Sequence, residues 1–257
     1  MPDSPRTIDP SARVESWPGN ADVEWDSFNS DAYFALNYGS LHREDLEIIR
    51  IVADHFQQWA PRRWRANAID VGSGTNLYPA LTMLPFAGEV TLYERAFPNC
   101  TWLTRQLGEP TGSWWQFWAA ISGGRPEYSR INKPFEQLQS RATVVRGNVF
   151  ALEPDQYDMG TMFFVAESIT TRLDEFERAT RRFVDSLTAT APFAAAFMRD
   201  SSGYLVAGQS FPACSITEKD VERCLADVAY VDHIQVVDSS DLRDGYCGMI
   251  VATGRKK

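Results

Sequence analysis

Asn67-Ala68-Ile69-Asp70-Val71-Gly72-Ser73-Gly74-Thr75-Asn76 decides the fold. The apolar run through Val71 reads as a short buried strand. Gly72-Ser73-Gly74 then reads as a turn in which the absence of Cβ atoms lets a ligand approach the backbone. Tyr78 to Gly88 reads as a short helix behind the turn, and Glu89 to Ala96 as a second strand. Glu94 ends that strand, 22 residues after Gly72, where a carboxylate that holds ribose hydroxyls is expected. A dinucleotide site wants a third glycine after G-x-G, because pyrophosphate lies hard against the helix N-terminus. Leu77 stands at that position, and there is no G-x-x-x-x-G-K-[ST] for a triphosphate. A nucleoside ligand without phosphates fits the turn better, and S-adenosylmethionine is one.

Outward from the turn, strands and helices alternate. Asn99–Gly108 reads as a helix, Ala142–Phe150 as a third strand, and Asp158–Ser168 as a fourth. Leu173–Leu187 is helical, Ala191–Asp200 a fifth strand, and Thr217–Val228 a helix with Thr217 as N-cap and Asp220 at its third position. Val231–Ser239 and Tyr246–Lys256 close the chain as two successive strands. Such alternation implies a mostly parallel sheet covered on both faces, and the final pair, with no helix between, should be antiparallel. The expectation is an α/β, Rossmann-like sheet of seven strands with helices on both faces and an N-terminal helical cap.

The domain reading follows from composition. Residues 1–22, rich in Pro, Ser, Asp and Gly, read as a mobile tail. Residues 23–60 read as a helical cap or lid, with Leu46, Ile49, Val52, Ala53 and Phe56 at three- and four-residue spacing and Pro61 as the stop. Residues 61–257 form the nucleoside-binding domain, with 108–140 an irregular, aromatic-rich insertion.

D-x-G-x-G with a downstream acid resembles the first motifs of class I methyltransferases. Four pieces resemble the N-methyltransferases of nicotinamide, phenylethanolamine and indolethylamine more closely. They are Phe28–Gly39, Asp70–Met83, Tyr93–Asn99 and Gly203–Tyr230. The resemblance implies S-adenosylmethionine as cofactor and methyl transfer to a small molecule, with an amine or ring nitrogen the preferred acceptor. C- or O-methylation of an aromatic metabolite and a non-catalytic S-adenosylmethionine-binding protein stay open. It further implies that Tyr33 and Tyr38 close over the cofactor and that Gly72, Ser73, Gly74 and Tyr78 contact it. Glu94 and Asn99 would bind its ribose and adenosine, and Asn148, Val149 and Phe163 the rest of its pocket. Glu167 would contact the substrate and take a proton, Asp200 would be a second acid, and Arg199 and Tyr204 would lie on the substrate side. The chain departs from the family's pattern at Glu94 and Asn148 (usually Asp), at Phe163 (usually Thr) and at Gly203 (usually aromatic). Trp114, Trp115, Phe117 and Trp118 could wall an aromatic substrate, Trp115 foremost, or simply pack as an inserted helix.

The remaining composition excludes other classes. A net charge of −9 repels a phosphate backbone, and the [N/D]-P-P-[Y/F] of base-amine methyltransferases is absent after the fourth strand. The longest basic run is Arg62-Arg63-Trp64-Arg65. Four cysteines without a C-x-x-C, and three histidines apart from them, give no metal site or disulfide scaffold. No stretch is apolar enough to span a membrane, and the N-terminus is no signal peptide. A cytoplasmic protein with no nucleic-acid or membrane partner is expected, and a monomer is compatible with the cap.

Overall fold

The computed structural model describes residues 19–61, 66–238 and 247–257. Nine strands are described: β1 (Ala66–Val71), β2 (Ala87–Glu94), β3 (Ala142–Arg146), β4 (Met159–Phe163), β5 (Pro192–Met198), β6 (Tyr204–Val206), β7 (Gln209–Phe211), β8 (Ala229–Val237) and β9 (Met249–Lys256). The α-helices are α1 (Ser30–Asn37), α2 (Arg43–Trp59), α3 (Tyr78–Met83), α4 (Phe97–Gly108), α5 (Trp114–Ser122), α6 (Pro126–Ser129), α7 (Pro134–Arg141), α8 (Leu173–Asp185) and α9 (Glu218–Leu225).

Seven strands form one sheet in the order β3-β2-β1-β4-β5-β9-β8. The first five are mutually parallel. β9 runs antiparallel to both β5 and β8, so the final pair behaves as its missing crossover requires. β6 and β7 form a separate hairpin, which the sequence pattern had not revealed. The chain leaves β1 toward β2 and β3, then returns to β4 on the other side of β1. The crevice where the strand order reverses, at the carboxyl ends of β1 and β4, is where open α/β sheets bind ligands.

Alternation along each strand divides the core between the two faces. Ala68, Ala194 and Ala196 face the layer made by α2, α3 and α5. Ile69, Ala195 and Phe197 face α8 and α9. α2 owes its helix to the apolar stripe Ile48, Ile49, Val52, Ala53 and Phe56, all fully buried. The small side chains of β5 on that face let the helix backbone lie close to the sheet. α8 buries Phe176, Ala179, Phe183 and Val184 on the opposite face. Its neighbour α9 starts as expected, with the Thr217 amide donating to Asp220 Oδ2 at 2.9 Å.

Three expectations change. α2 is a covering helix of the sheet rather than part of a lid, because its apolar stripe needs the sheet face; of the described residues before β1, those lining the crevice lie between Asn20 and Tyr38. Residues 1–18 of the expected tail lie outside the described residues, as do Arg62–Arg65. Gly19–Asp22 are built into the fold: Asn20 is buried, its amide donates to Glu175 Oε2 at 2.9 Å, and its oxygens accept from the Trp25 indole. Lastly, 108–140 is mostly helical, comprising α5, α6 and α7. Gln106 Oε1 accepts from the amide and hydroxyl of Thr111 and from Trp114 Nε1, which fixes the start of α5 so that Trp114, Phe117 and Trp118 pack inward.

Candidate functional site

The turn after β1 is built as its glycines demand. Gly72 and Gly74 have φ of +65° and +56°, where a Cβ is strained. A Cβ on Gly72 would stand 2.5 Å from Val165 Cγ2. The Gly72 amide donates to the Tyr93 carbonyl at 2.7 Å, and the Ser73 hydroxyl to the Asp70 carbonyl at 3.0 Å. Glu94 holds the turn from the neighbouring strand. Its Oε2 accepts from the Gly74 amide at 2.8 Å and its Oε1 from the Ala96 amide at 2.7 Å. Burial pushes its carboxyl up, opposed by these bonds and by Asn99. Asp70 lies under the turn, fully buried, with Oδ1 accepting from the Thr161 hydroxyl at 2.7 Å. Burial pushes its carboxyl up to about 7.

A cavity of about 810 Å³, its open mouth included, lies above the turn. Tyr33, Tyr38, Gly72, Ser73, Gly74, Glu94, Asn99, Asn148, Val149, Phe163 and Tyr204 all line it. The chain thus gathers residues from positions 33 to 204 into one space. Its roof is aromatic: Tyr33 packs on Phe28, Tyr38 and Tyr204, and the Tyr204 ring stacks on Phe211 at 5.4 Å. The hairpin β6–β7 supplies Tyr204 and Phe211, and Gln209 Nε2 donates to Ser27 Oγ at 2.7 Å across the roof. Arg146 holds Asp26 by two bonds, of 2.9 and 2.7 Å.

Five expected residues take other places. Tyr78 is fully buried in the wall, stacked on Phe117 at 5.5 Å and edge-on to Tyr38 and Phe163. Trp115 is 55% exposed on the outer side of α5, edge-on to Phe135. The helix turns it away because Trp114 and Trp118 take the inner face. Arg199 and Asp200 lie outside the cavity wall; Arg199 Nε is 3.3 Å from Glu218 Oε2 and 3.7 Å from Asp200 Oδ2. Glu167 is completely buried behind the wall, so it presents no carboxylate to the cavity. Its Oε1 accepts from the Met198 amide at 2.9 Å and the Ser168 hydroxyl at 3.1 Å, and burial pushes it up to about 7.

Asn148 lines the cavity with a constraint. Its Oδ1 accepts from the Phe150 amide at 3.1 Å, capping a single 3-10 turn at Val149–Ala151. One lone pair of that oxygen is therefore engaged, and its NH₂ is the freer group.

Further lining residues escaped the sequence reading: Asn20, Trp25, Phe28, Thr75, Tyr93, Arg95, Phe164 and Ser168 among them. Tyr93 and Arg95 had a signal, since they flank Glu94. The Tyr93 ring lies where a Cβ on Gly147 would come within 2.1 Å, so Gly147 makes room for it. Trp25 and Phe28 had none, because their place depends on contacts with residues near 204–211. Glu94 and Arg95 are the charged residues among the lining groups; the rest are neutral. Among the described residues there is no cluster of groups that could hold a metal ion, and no helix is long and apolar enough to cross a membrane.

No protein-family model and no curated protein sequence matches the chain. Solved structures do. N-methyltransferase NodS from Bradyrhizobium japonicum WM9, in complex with S-adenosylhomocysteine, is similar over 83% of this chain and 86% of its own, with a TM-score of 0.52 at 9% identity. The 1,6-didemethyltoxoflavin-N1-methyltransferase of Burkholderia thailandensis, with S-adenosylhomocysteine bound, is similar over 89% and 84%, with a TM-score of 0.52 at 16% identity. Mitomycin 7-O-methyltransferase MmcR is similar over 83% of this chain and 54% of its own, with a TM-score of 0.50 at 16% identity. At these identities the likeness is one of fold, and the fold is that of class I S-adenosylmethionine-dependent methyltransferases.

Proposed function

We propose that the protein is an S-adenosylmethionine-dependent methyltransferase acting on a small, flat and largely uncharged acceptor. The observation that carries the reading is the cavity itself. It joins a glycine turn without the third glycine of a dinucleotide site, a buried carboxylate at the end of the next strand and an aromatic roof at the topological switch point. The cradle also fits a nucleoside on its own evidence. Two glycines with left-handed backbone open the turn, and the buried hydroxyl of Thr75, a lining residue, has no hydrogen-bond partner among the described residues.

Gly72–Thr75, Glu94, Asn99, Asn148 and Val149 would hold the nucleoside, with Tyr33 and Tyr38 over it. S-adenosylmethionine supplies a methyl group already activated on a sulfonium. The protein's own work is then to align a lone pair and exclude water. Phe28, Tyr33, Phe164 and Tyr204 offer ring faces to a planar acceptor. The likeness in fold to one N1-methyltransferase and one 7-O-methyltransferase leaves either acceptor atom compatible with the reading. An aliphatic ammonium has less support, because Asp200 lies outside the cavity, Glu167 is walled off from it, and both oxygens of the lining Glu94 already accept from backbone amides.

The test is calorimetric titration with S-adenosylhomocysteine, with NAD as control, followed by a panel of phenols, indoles, ring-nitrogen heterocycles and amines scored for S-adenosylhomocysteine release. Micromolar binding of the first ligand alone, with turnover of a planar acceptor, supports the reading. Binding without turnover of any acceptor would make the chain a non-catalytic S-adenosylmethionine-binding protein. Binding of NAD in its place would refute the nucleoside assignment.

A further inference from the structure

Glu167 and Ser168 are consecutive, yet they lie on opposite sides of the cavity wall. Ser168 lines the cavity, and Glu167 is fully buried behind it. The Ser168 hydroxyl donates to Glu167 Oε1 at 3.1 Å. The Met198 amide donates to the same oxygen at 2.9 Å, and Oε2 has no hydrogen-bond partner among the described residues. Backbone bonds fix the pair in place. The Cys214 amide donates to the Glu167 carbonyl at 2.7 Å, and the Ser168 amide to the Val165 carbonyl at 2.9 Å. The carboxyl is thus held by the end of β5, and the Glu167 backbone is tied to the chain that follows β7.

A buried carboxylate with one bare oxygen is costly, and taking up a proton relieves that cost. Among the described residues no cation offsets it: the groups bonded to the carboxyl are backbone amides and one hydroxyl. Burial holds the group at about 7, so it exchanges a proton near neutrality. The titratable groups facing it are Tyr204 and Cys214. Burial holds the Tyr204 phenol well above its usual range and pushes the Cys214 thiol up to about 11, so both keep their protons there. A serine hydroxyl donates one hydrogen bond and can accept two. Its donation goes to Glu167, which leaves its lone pairs for a donor inside the cavity.

We propose that Ser168 and Glu167 form a proton relay, through which the cavity deprotonates an acceptor bearing an ionisable O–H or ring N–H as that acceptor is methylated. The proposal rests on the methyl-transfer reading above and narrows its acceptor class. The proton passes from the acceptor to Ser168 Oγ while the hydroxyl proton passes to Glu167 Oε1. The electron pair of the broken X–H bond stays on X and serves the new X–CH₃ bond, and the pair of the old methyl–sulfur bond stays on sulfur. A counterion role for a substrate ammonium fits less well, because the hydroxyl stands between the carboxylate and the cavity. Ser168 is the group that touches the acceptor; Glu167 acts through it.

Infrared difference spectroscopy on the full chain tests the relay without a known acceptor. The C=O stretch of a protonated carboxyl is compared between acid and alkaline samples of wild type, Glu167→Gln, Ser168→Ala and Ser168→Thr. The wild type is expected to show two components that titrate near pH 7, from Asp70 and Glu167, of which only the Glu167 component is missing from Glu167→Gln. Hydrogen–deuterium exchange of that carboxyl should slow by about tenfold or more in Ser168→Ala, where the path to the cavity is cut, and recover in Ser168→Thr. A titrating band unchanged in Glu167→Gln, or exchange in Ser168→Ala as fast as in wild type, overturns the relay. Calorimetry with S-adenosylhomocysteine on the same samples separates the two claims. Loss of binding in the wild type refutes the methyl-transfer reading, whereas normal binding with unslowed exchange refutes the relay alone.

Discussion

Glu94 Oε2 and the Gly74 amide are joined by a 2.8 Å hydrogen bond that ties the end of β2 to the turn after β1. The other carboxylate oxygen accepts from the Ala96 amide at the start of α4. One buried side chain therefore sets the distance between the two walls of the cavity, whatever it also does for a ligand.

Removing that brace should affect both binding and stability. Glu94→Ala strands two backbone N–H groups and is expected to cost about 1–3 kcal/mol of stability and to weaken S-adenosylhomocysteine by about tenfold or more. Glu94→Gln keeps an acceptor oxygen for one of them and should fall between. Urea denaturation and calorimetry measure the two effects. Wild-type affinity in Glu94→Ala would mean that the turn holds its shape without the brace.

The glycine turn makes a second, independent demand. Gly72→Ala puts a Cβ at positive φ and against Val165, and is expected to destabilise the fold by about 2–4 kcal/mol. Adding Val165→Ala removes the clash but not the backbone strain, so the double variant should recover about 1 kcal/mol or more relative to additivity. Purely additive effects in denaturation would show that the two residues do not meet.

Buried carboxyls give the fold a pH dependence of definite sign. Asp70 and Glu167 lose their protons near their ordinary values, 3.8 and 4.5, in the unfolded chain, but at about 7 in the folded one. Between those limits the folded state binds more protons, so their contribution makes stability fall as pH rises from about 4 to 7, then level off. The double variant Asp70→Asn/Glu167→Gln should show a smaller loss of urea midpoint between pH 5 and pH 8, values that fall within and above the window set by these groups. An identical loss in wild type and variant would remove both residues from the account.

Trp115 and Tyr204 should separate the surface from the roof. Trp115→Ala leaves the cavity untouched and should change S-adenosylhomocysteine affinity by less than about twofold and stability by less than about 1 kcal/mol. Tyr204→Ala removes a ring that lines the cavity and packs on Tyr33 and Phe211. It should reduce the rise in melting temperature that the ligand brings. A ligand-induced shift lost in Trp115→Ala and kept in Tyr204→Ala would invert the geometry described.

The legibility of the site follows from how local each signal is. The turn was readable because a buried strand, two glycines and a strand-end acid lie within 28 residues, Asn67 to Glu94. Residues 108–140 were read as irregular, with an inserted helix as one reading of Trp114–Trp118, because α5 is short and apolar on more than one face. Asp200 and Arg199 were placed on the substrate side by the resemblance, and the chain bends at Asp200, whose φ is +52°. The bend, together with the pairing of Arg199 with Glu218 and Asp200, carries both away from the cavity.

The order of the seven sheet strands along the chain, the parallel sheet with its antiparallel end and the two-glycine turn were determined by the sequence alone. Hydrophobic period and turn chemistry act over a few residues and need no distant partner. Which side of the wall each polar group occupies was decided only by the tertiary structure. Glu167 and Ser168 are adjacent in the chain, but the Met198 amide, from β5, and the Cys214 amide, from the chain after β7, hold the Glu167 carboxyl and carbonyl, and Glu167 is buried behind the wall that Ser168 lines. A residue's direction at the end of a strand is set by the backbone donors that meet it there, and those come from far along the chain.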